Sequence, residues 1–262
     1  MLGLLAFLMG ASVGSFLNVV ADRLPEGQSL IQPRSFCGSC RRTLGSLELV
    51  PILSYLWLRG RCRYCRASIP ARLMAVEGAT GLLFIVIYLR FGLGAEFVVL
   101  AAAVSLLLVV ALIDLERGLI LNRLVYPSAV AFLILAPFWP QLGLSQTFPG
   151  SSGMVASFLS SLTAGIGAFL VFLAIALRYP QGMGGGDIKL AGVIGLLVGF
   201  PGVLSALWLS VVSGGLVGLY LVLVRKKARK DIMPFGPFLS LGAIVALLAG
   251  RDLAFWYRGL IP

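Results

Sequence analysis

The sequence predicts an all-α, polytopic membrane protein of about eight transmembrane helices, with one small polar domain carrying all the cysteines between the first two. Three observations lead there. Of 262 residues, 59% are hydrophobic and only 12% are charged, about half the charge of an ordinary globular chain. Apolar runs approaching the length that spans a hydrocarbon core recur along nearly the whole chain. The basic residues, which give a formal net charge of +11, gather in alternate loops instead of spreading evenly.

The spans fall at about 1–21, 73–90, 97–113, 121–139, 154–177, 188–200, 203–224 and 235–250. The first has no positive residue ahead of it and no small-residue cleavage pattern, so it reads as a retained helix and not a signal peptide. Segments 22–72, 114–120, 178–187 and 225–234, with their flanking helix ends, hold every Lys and Arg except Arg90, Arg251 and Arg258. By the positive-inside rule these loops are cytoplasmic and both termini face outward. The run Arg225-Lys226-Lys227-Ala228-Arg229-Lys230 then anchors topology beside anionic headgroups, so the partner is lipid and not nucleic acid. Small residues in Thr163-Ala164-Gly165-Ile166-Gly167-Ala168 and Ser213-Gly214-Gly215-Leu216-Val217-Gly218 predict close helix packing. The chain carries no persuasive internal repeat.

Segment 22–72 is the one sizeable polar zone. It holds Cys37-Gly38-Ser39-Cys40 and Cys62-Arg63-Tyr64-Cys65, two CxxC pairs whose separation is slightly longer than the usual ribbon spacing. Four thiolates complete a closed tetrahedral zinc shell, and such a site staples a domain too small for an adequate core. Two disulfides, a redox-active dithiol and unligated thiols are the alternatives. A closed four-cysteine shell leaves no position for substrate, so this zinc is structural.

The chain has no histidine, which removes imidazole bases and His-ligated metals and leaves the chemistry to carboxylates, cysteines or hydroxyls. Only ten residues are acidic. Three of them, Glu77, Asp114 and Asp187, enter or adjoin apolar helices, where an ionisable group is costly and a functional role is the default reading. Taken singly, Asp187 reads equally as a helix N-cap, and Asp114 as a loop residue pairing with Arg117 or Lys189. Taken together, two carboxylates within hydrogen-bond reach share a proton, one serving as base toward water and the other as acid. The string Gly184-Gly185-Gly186 before Asp187 lets an extended substrate lie against the backbone. Lys189 either stabilises charge at this site or extends toward the membrane interface.

Gly184-Gly185-Gly186-Asp187 matches the GxGD signature, and its context, Gly182-Met183-Gly184-Gly185-Gly186-Asp187-Ile188-Lys189-Leu190, resembles the type IV prepilin peptidases. The likeness runs in order through Gly14-Ser15-Phe16-Leu17-Asn18-Val19-Val20, Arg23-Leu24-Pro25, both CxxC pairs, Val76-Glu77-Gly78-Ala79-Thr80-Gly81, Asp114 and Pro234-Phe235-Gly236-Pro237-Phe238. The resemblance implies a membrane aspartic peptidase that removes the basic leader of prepilins and pseudopilins after a glycine, with Asp114 and Asp187 catalytic. It also implies N-methylation of the new terminus from S-adenosylmethionine, with Asn18, Glu48 and Glu77 as the candidates on that side. The division is then a first helix at 1–21, a methyltransferase-associated cysteine domain at 22–72 and a peptidase bundle at 73–262. The chain departs from the family at Ser46-Leu47-Glu48-Leu49-Val50-Pro51, at Leu73-Met74-Ala75 and at Leu121-Asn122. A peptidase without methyl transfer and a non-catalytic transporter or assembly protein stand as alternatives at this point.

Overall fold

The computed structural model describes residues 1–142, 153–179, 182–224 and 233–260. Every regular element among them is helical: α1 (Leu2–Arg23), α2 (Leu53–Trp57), α3 (Ala71–Phe91), α4 (Ala95–Arg117), α5 (Asn122–Leu135), α6 (Met154–Arg178), α7 (Gly185–Val198), α8 (Gly202–Leu223) and α9 (Gly236–Leu260). Short 3-10 turns occupy Ser46–Leu49 and Ala136–Phe138. Five helices, α1, α3, α4, α6 and α8, are long and apolar enough to cross a membrane. The segments Asn122–Phe138 and Gly236–Gly250 are shorter apolar helices. The basic run at 225–230 lies outside the described residues.

Apolar side chains cover the outside of the molecule as well as filling its core. Ser157, Ser160, Ser161, Ser210 and Thr80 are fully buried, whereas Leu4, Leu82, Leu89, Val98, Leu204, Leu216 and Leu219 are exposed. An apolar exterior over a core containing small polar residues is what lipid-facing helices require. The molecule is a membrane protein.

The chain forms two compact units, Met1–Ser105 and Leu106–Pro262. In the first, α1 and α3 pack antiparallel along small residues. A β-carbon on Gly10 would lie 2.7 Å from Thr80 O and 2.8 Å from Gly81 Cα, and one on Gly14 would lie 2.8 Å from Glu77 Cα. Together with buried Ala6, these residues form a small-residue stripe at four-residue spacing that lets the two backbones touch. Asn18, one turn further along α1, continues the seam by donating from Nδ2 to Leu73 O at 3.1 Å. Asp22 closes it with Arg72 at 2.8 Å.

The second unit repeats this logic between α6 and α7, where Gly195 abuts Ala164 O and Gly165 Cα, and between α8 and α9, where Gly242 abuts Ala206 O and Ser210 Oγ. The turn from α7 to α8 is tied to α6 by Ser160, whose Oγ accepts the Phe200 N–H at 2.9 Å and donates to Phe200 O at 3.0 Å. Several boundaries differ from the sequence expectation: α9 runs on to Leu260 instead of ending near 250, and α5 stops at Leu135 before a 3-10 turn. Helix α4 runs on through Asp114 to Arg117, because Gly118, at φ +64°, supplies the left-handed residue that ends it and donates its N–H to Asp114 O. Helix α7 starts at Gly185 and takes Asp187 into its first turn.

Gly10→Ala is expected to destabilise the first unit by about 1–3 kcal/mol through overpacking. Gly78→Ala, on the same helix pair but with open space around its Cα, is the control. Thermal unfolding in detergent micelles should show a lowered midpoint for the first variant and none for the second.

Candidate active site and four-cysteine centre

Asp114 and Asp187 both lie in the second unit and both are buried, at 5% and 8% exposure. Asp114 occupies the last turn of α4, and its Oδ2 accepts the backbone N–H of Gly236, the first residue of α9, at 2.8 Å. That contact requires glycine: a β-carbon at position 236 would stand 2.6 Å from Oδ2 and 3.0 Å from Cγ of Asp114. The amide that holds the acid is thus one of the orphan donors at a helix N-terminus, which favours negative charge.

Asp187 is the third residue of α7, not its N-cap; Gly184 holds the cap position. The side chain reaches back so that Oδ2 accepts the Gly184 N–H at 3.3 Å, the acid half of a capping box. Its Oδ1 is buried and has no hydrogen-bond partner. A buried carboxylate oxygen left unpaired is expensive.

The loop that follows Asp114 packs against the start of the helix that carries Asp187. A β-carbon on Gly186 would stand 2.7 Å from Ile120 Cβ, so this glycine admits the α4–α5 connection against the start of α7. Gly185 faces open space and leaves its backbone accessible. Lys189, one of the expected site residues, donates from Nζ to Asn122 Oδ1 at 3.0 Å and sits 5.4 Å from the Tyr126 ring centroid. It joins the start of α5 to α7, and its hydrogen bond goes to a neutral amide and not to either aspartate. The roles of Gly236 and Asn122 escaped the sequence reading. Gly236 entered only as part of a Pro-Phe-Gly-Pro-Phe string, and nothing local signals that its amide meets an acid more than a hundred residues away.

In the first unit the four cysteine sulfurs lie within 4.8 Å of one another, and Cys37 and Cys65 are 3.8 Å apart. Tetrahedral thiolates at a zinc–sulfur distance of about 2.3 Å stand roughly 3.8 Å apart, so the cluster has the size of a metal shell. The two CxxC segments share one turn. The N–H of Cys37 donates to Arg42 O and that of Arg41 to Cys37 O; Cys62 and Ala67, with Arg66 and Cys62, repeat the pattern. Arg41 and Arg66 take φ of 59° and 60° at equivalent places, and isolated bridges Phe36↔Thr43 and Arg61↔Ser68 flank the turns. This is an internal repeat of backbone, which the differing side chains conceal in the sequence. Backbone N–H groups of Cys40 and Ser39 aimed at Cys37 pull its thiol down to about 6, while against the pull of the Ala67 amide, burial and the neighbouring thiols push Cys65 up to about 11, as thiols sharing one site titrate together.

Of the remaining candidates, Asn18 and Glu77 lie a turn apart on the α1–α3 seam. Asn18 Nδ2 also reaches Gly14 O at 3.3 Å, and its Oδ1 is buried without a partner. Glu77 Oε2 accepts the Ile52 N–H at 2.7 Å, pinning the segment before α2 to α3. Glu48 accepts the N–H of Gly45 within its own turn at 2.7 Å and keeps Oε1 buried and unpartnered.

The fold and site define a helical membrane protein with a buried pair of carboxylates and a separate four-thiol cluster. Residues 8–91 match the bacterial peptidase A24 N-terminal domain, and residues 101–219 match the type IV leader peptidase family. The chain is 36% identical to a prepilin leader peptidase/N-methyltransferase of Bacillus subtilis (strain 168), over 96% of each chain. Proteins of the same name from Pseudomonas putida and Aeromonas hydrophila are 34% and 31% identical, over 95% and 97% of this chain and 91% and 92% of theirs. No solved structure matches it. The chain belongs to the type IV leader peptidase family.

Gly236→Ala should push the Asp114 carboxylate aside without removing it. A displacement of about 1 Å at a reacting group costs roughly 10²-fold in rate. Leader-peptide cleavage in detergent is expected to fall by about that factor, with the yield of folded protein unchanged.

Proposed function

We propose that the chain is a membrane aspartic endopeptidase that removes the leader peptide of type IV prepilins and pseudopilins after a glycine, and then methylates the new N-terminus. The observation that carries the peptidase reading is the pair of buried acids, each gripped at one oxygen by a backbone N–H, with Oδ1 of Asp187 left for a reacting partner. Asp114 and Asp187 are the catalytic residues. With one carboxylate ionised and the other protonated, the ionised acid takes a proton from water as its oxygen attacks the scissile carbonyl carbon. The protonated acid gives its proton to the carbonyl oxygen. Collapse of the tetrahedral intermediate breaks the carbon–nitrogen bond, and the leaving amine takes up a proton. Gly184, Gly185 and Gly186 form the edge along which the extended leader lies, with Gly185 the most open position. Lys189 is a positioning residue that sets α5 against α7.

The arrangement is read as eight crossings: the five long helices together with α5, α7 and α9. Both termini face outward and the 22–72 domain is cytoplasmic, in a bacterial inner membrane. That topology leaves the polar leader in the cytoplasm while the apolar helix of the substrate lies in the bilayer.

Cys37, Cys40, Cys62 and Cys65 hold one zinc ion, which ties the two turns of a domain without a large core. For the methyl donor, S-adenosylmethionine, the chain offers acceptor oxygens to a cationic ligand: Oδ1 of Asn18 and Oε1 of Glu48, both buried and unpaired, with Glu77 nearby. When bound, the donor supplies an electrophilic methyl group, and the residues of the chain orient it.

Asp114→Asn and Asp187→Asn are each expected to abolish cleavage of a purified prepilin while methylation of a pre-cleaved pilin persists. Cleavage by either variant at the wild-type rate would end the peptidase assignment. Metal analysis should find about one zinc per chain, lost in Cys62→Ser together with protease resistance of segment 22–72; a metal-free wild-type chain would remove the zinc proposal.

A further inference from the structure

The segment around α2 carries apolar surface that neither the carboxylate pair nor the thiol cluster uses. Leu47, Leu53, Leu56 and Trp57 are exposed at 62%, 61%, 57% and 73%. In a domain that lies in water, such a cluster would be a liability. Its position relative to the bilayer follows from one hydrogen bond. Ile52, immediately before α2, donates its N–H to Glu77 Oε2, and Glu77 is the seventh residue of α3. At a rise of 1.5 Å per residue, that is about 9 Å along α3 from its first residue. The antiparallel α1 is bonded to α3 about a turn nearer the helix end, with Asn18, five residues before Arg23, on O of Leu73, the third residue of α3.

The charge pattern gives the other coordinate. Beyond Trp57 the chain turns back through Arg59, Arg61, Arg63 and Arg66, all exposed. Apolar and indole side chains followed by a basic rim match the layers of a leaflet: acyl chains, the interface that tryptophan favours, then anionic headgroups.

We infer that residues 47–57 form a wedge that sits in the membrane interface on the side of the cysteine module, with Leu53, Leu56 and Trp57 among the upper acyl chains and the arginines against anionic headgroups. The inference rests on α1 and α3 being membrane spans, not on the peptidase or methyl-transfer assignment. The wedge ties the cysteine module to the bilayer at a point besides the ends of α1 and α3, so Glu77 sets its depth.

The test reconstitutes the full-length protein into vesicles of phosphatidylcholine and phosphatidylglycerol. The Trp57 contribution is taken as the difference in emission between wild type and Trp57→Phe. Lipids brominated near the headgroup should quench most of that difference, and aqueous acrylamide should quench little of it. Vesicles of phosphatidylcholine alone should give weaker lipid quenching. A Leu56→Trp, Trp57→Phe double variant should regain the lipid-quenched signal, which covers the case of a single substitution that perturbs folding. Quenching by acrylamide with none by brominated lipid would overturn the inference. So would a signal that neither quencher reaches until prepilin is added or removed, since the surface would then belong to substrate. Leader cleavage measured on the same vesicles separates these outcomes from a failure of the peptidase assignment, because the fluorescence signal does not require turnover.

Discussion

The hydrogen bond from the Gly236 amide to Asp114 is the constraint around which the second unit is organised. A carboxylate at the end of an apolar helix must be solvated by something, and here the solvent is the start of another helix. Because the donor belongs to the backbone, the contact cannot be made at a distance by a long side chain. The start of α9 has to come to the acid. That requirement accounts for glycine at 236, where any β-carbon would enter the carboxylate. A helix N-terminus also presents partial positive charge without placing a titratable cation in the site.

The same device recurs at Asp187 in a local form. Its Oδ2 is held by an amide three residues earlier, so the constraint there is one turn of helix and not a tertiary contact. Both acids therefore keep one oxygen anchored to backbone, while Oδ1 of Asp187 stays unpaired. Gly186 completes the arrangement by letting Ile120 close in, which brings the loop following Asp114 onto the helix that starts beside Asp187. Three glycines, 118, 186 and 236, thus do different work: one ends a helix, one admits a side chain and one exposes an amide.

Much of this was legible in the sequence, and the limits are physical. Long apolar runs, the CxxC pairs and the isolation of Asp114 and Asp187 among apolar residues are local features, and the helices and the thiol cluster appear where those features put them. Helix ends were legible only approximately, because the competition at 114–118 is decided by Gly118 adopting positive φ, and a glycine in a string of residues does not announce which φ it takes. The partner of Asp114 was not legible at all. An amide donor has no side-chain identity, and the Pro-Phe-Gly-Pro-Phe string around Gly236 marks the segment without indicating which distant group its amide meets. The repeat of the two cysteine turns was hidden for the converse reason: the backbone repeats with Arg41 and Arg66 in left-handed conformation, while the residues between the cysteines differ.

In the proposed mechanism the two acids share a proton, and the disposition of Lys189 is consistent with that. An ammonium ion bonded directly to either aspartate would favour two ionised carboxylates, since an opposite charge within a few ångströms stabilises the charged form. A pair held in that state has lost the acid it needs for the carbonyl oxygen. Lys189 stands two residues from Asp187, yet its bond is made to the neutral amide of Asn122, with the ammonium also over the Tyr126 ring. Both partners are uncharged and both lie on α5, so the cation is occupied in a helix–helix tie. The acids are left to backbone amides, which stabilise negative charge without adding a formal positive charge. That leaves both acids without a bonded cation, as the proposed two-acid hydrolysis requires.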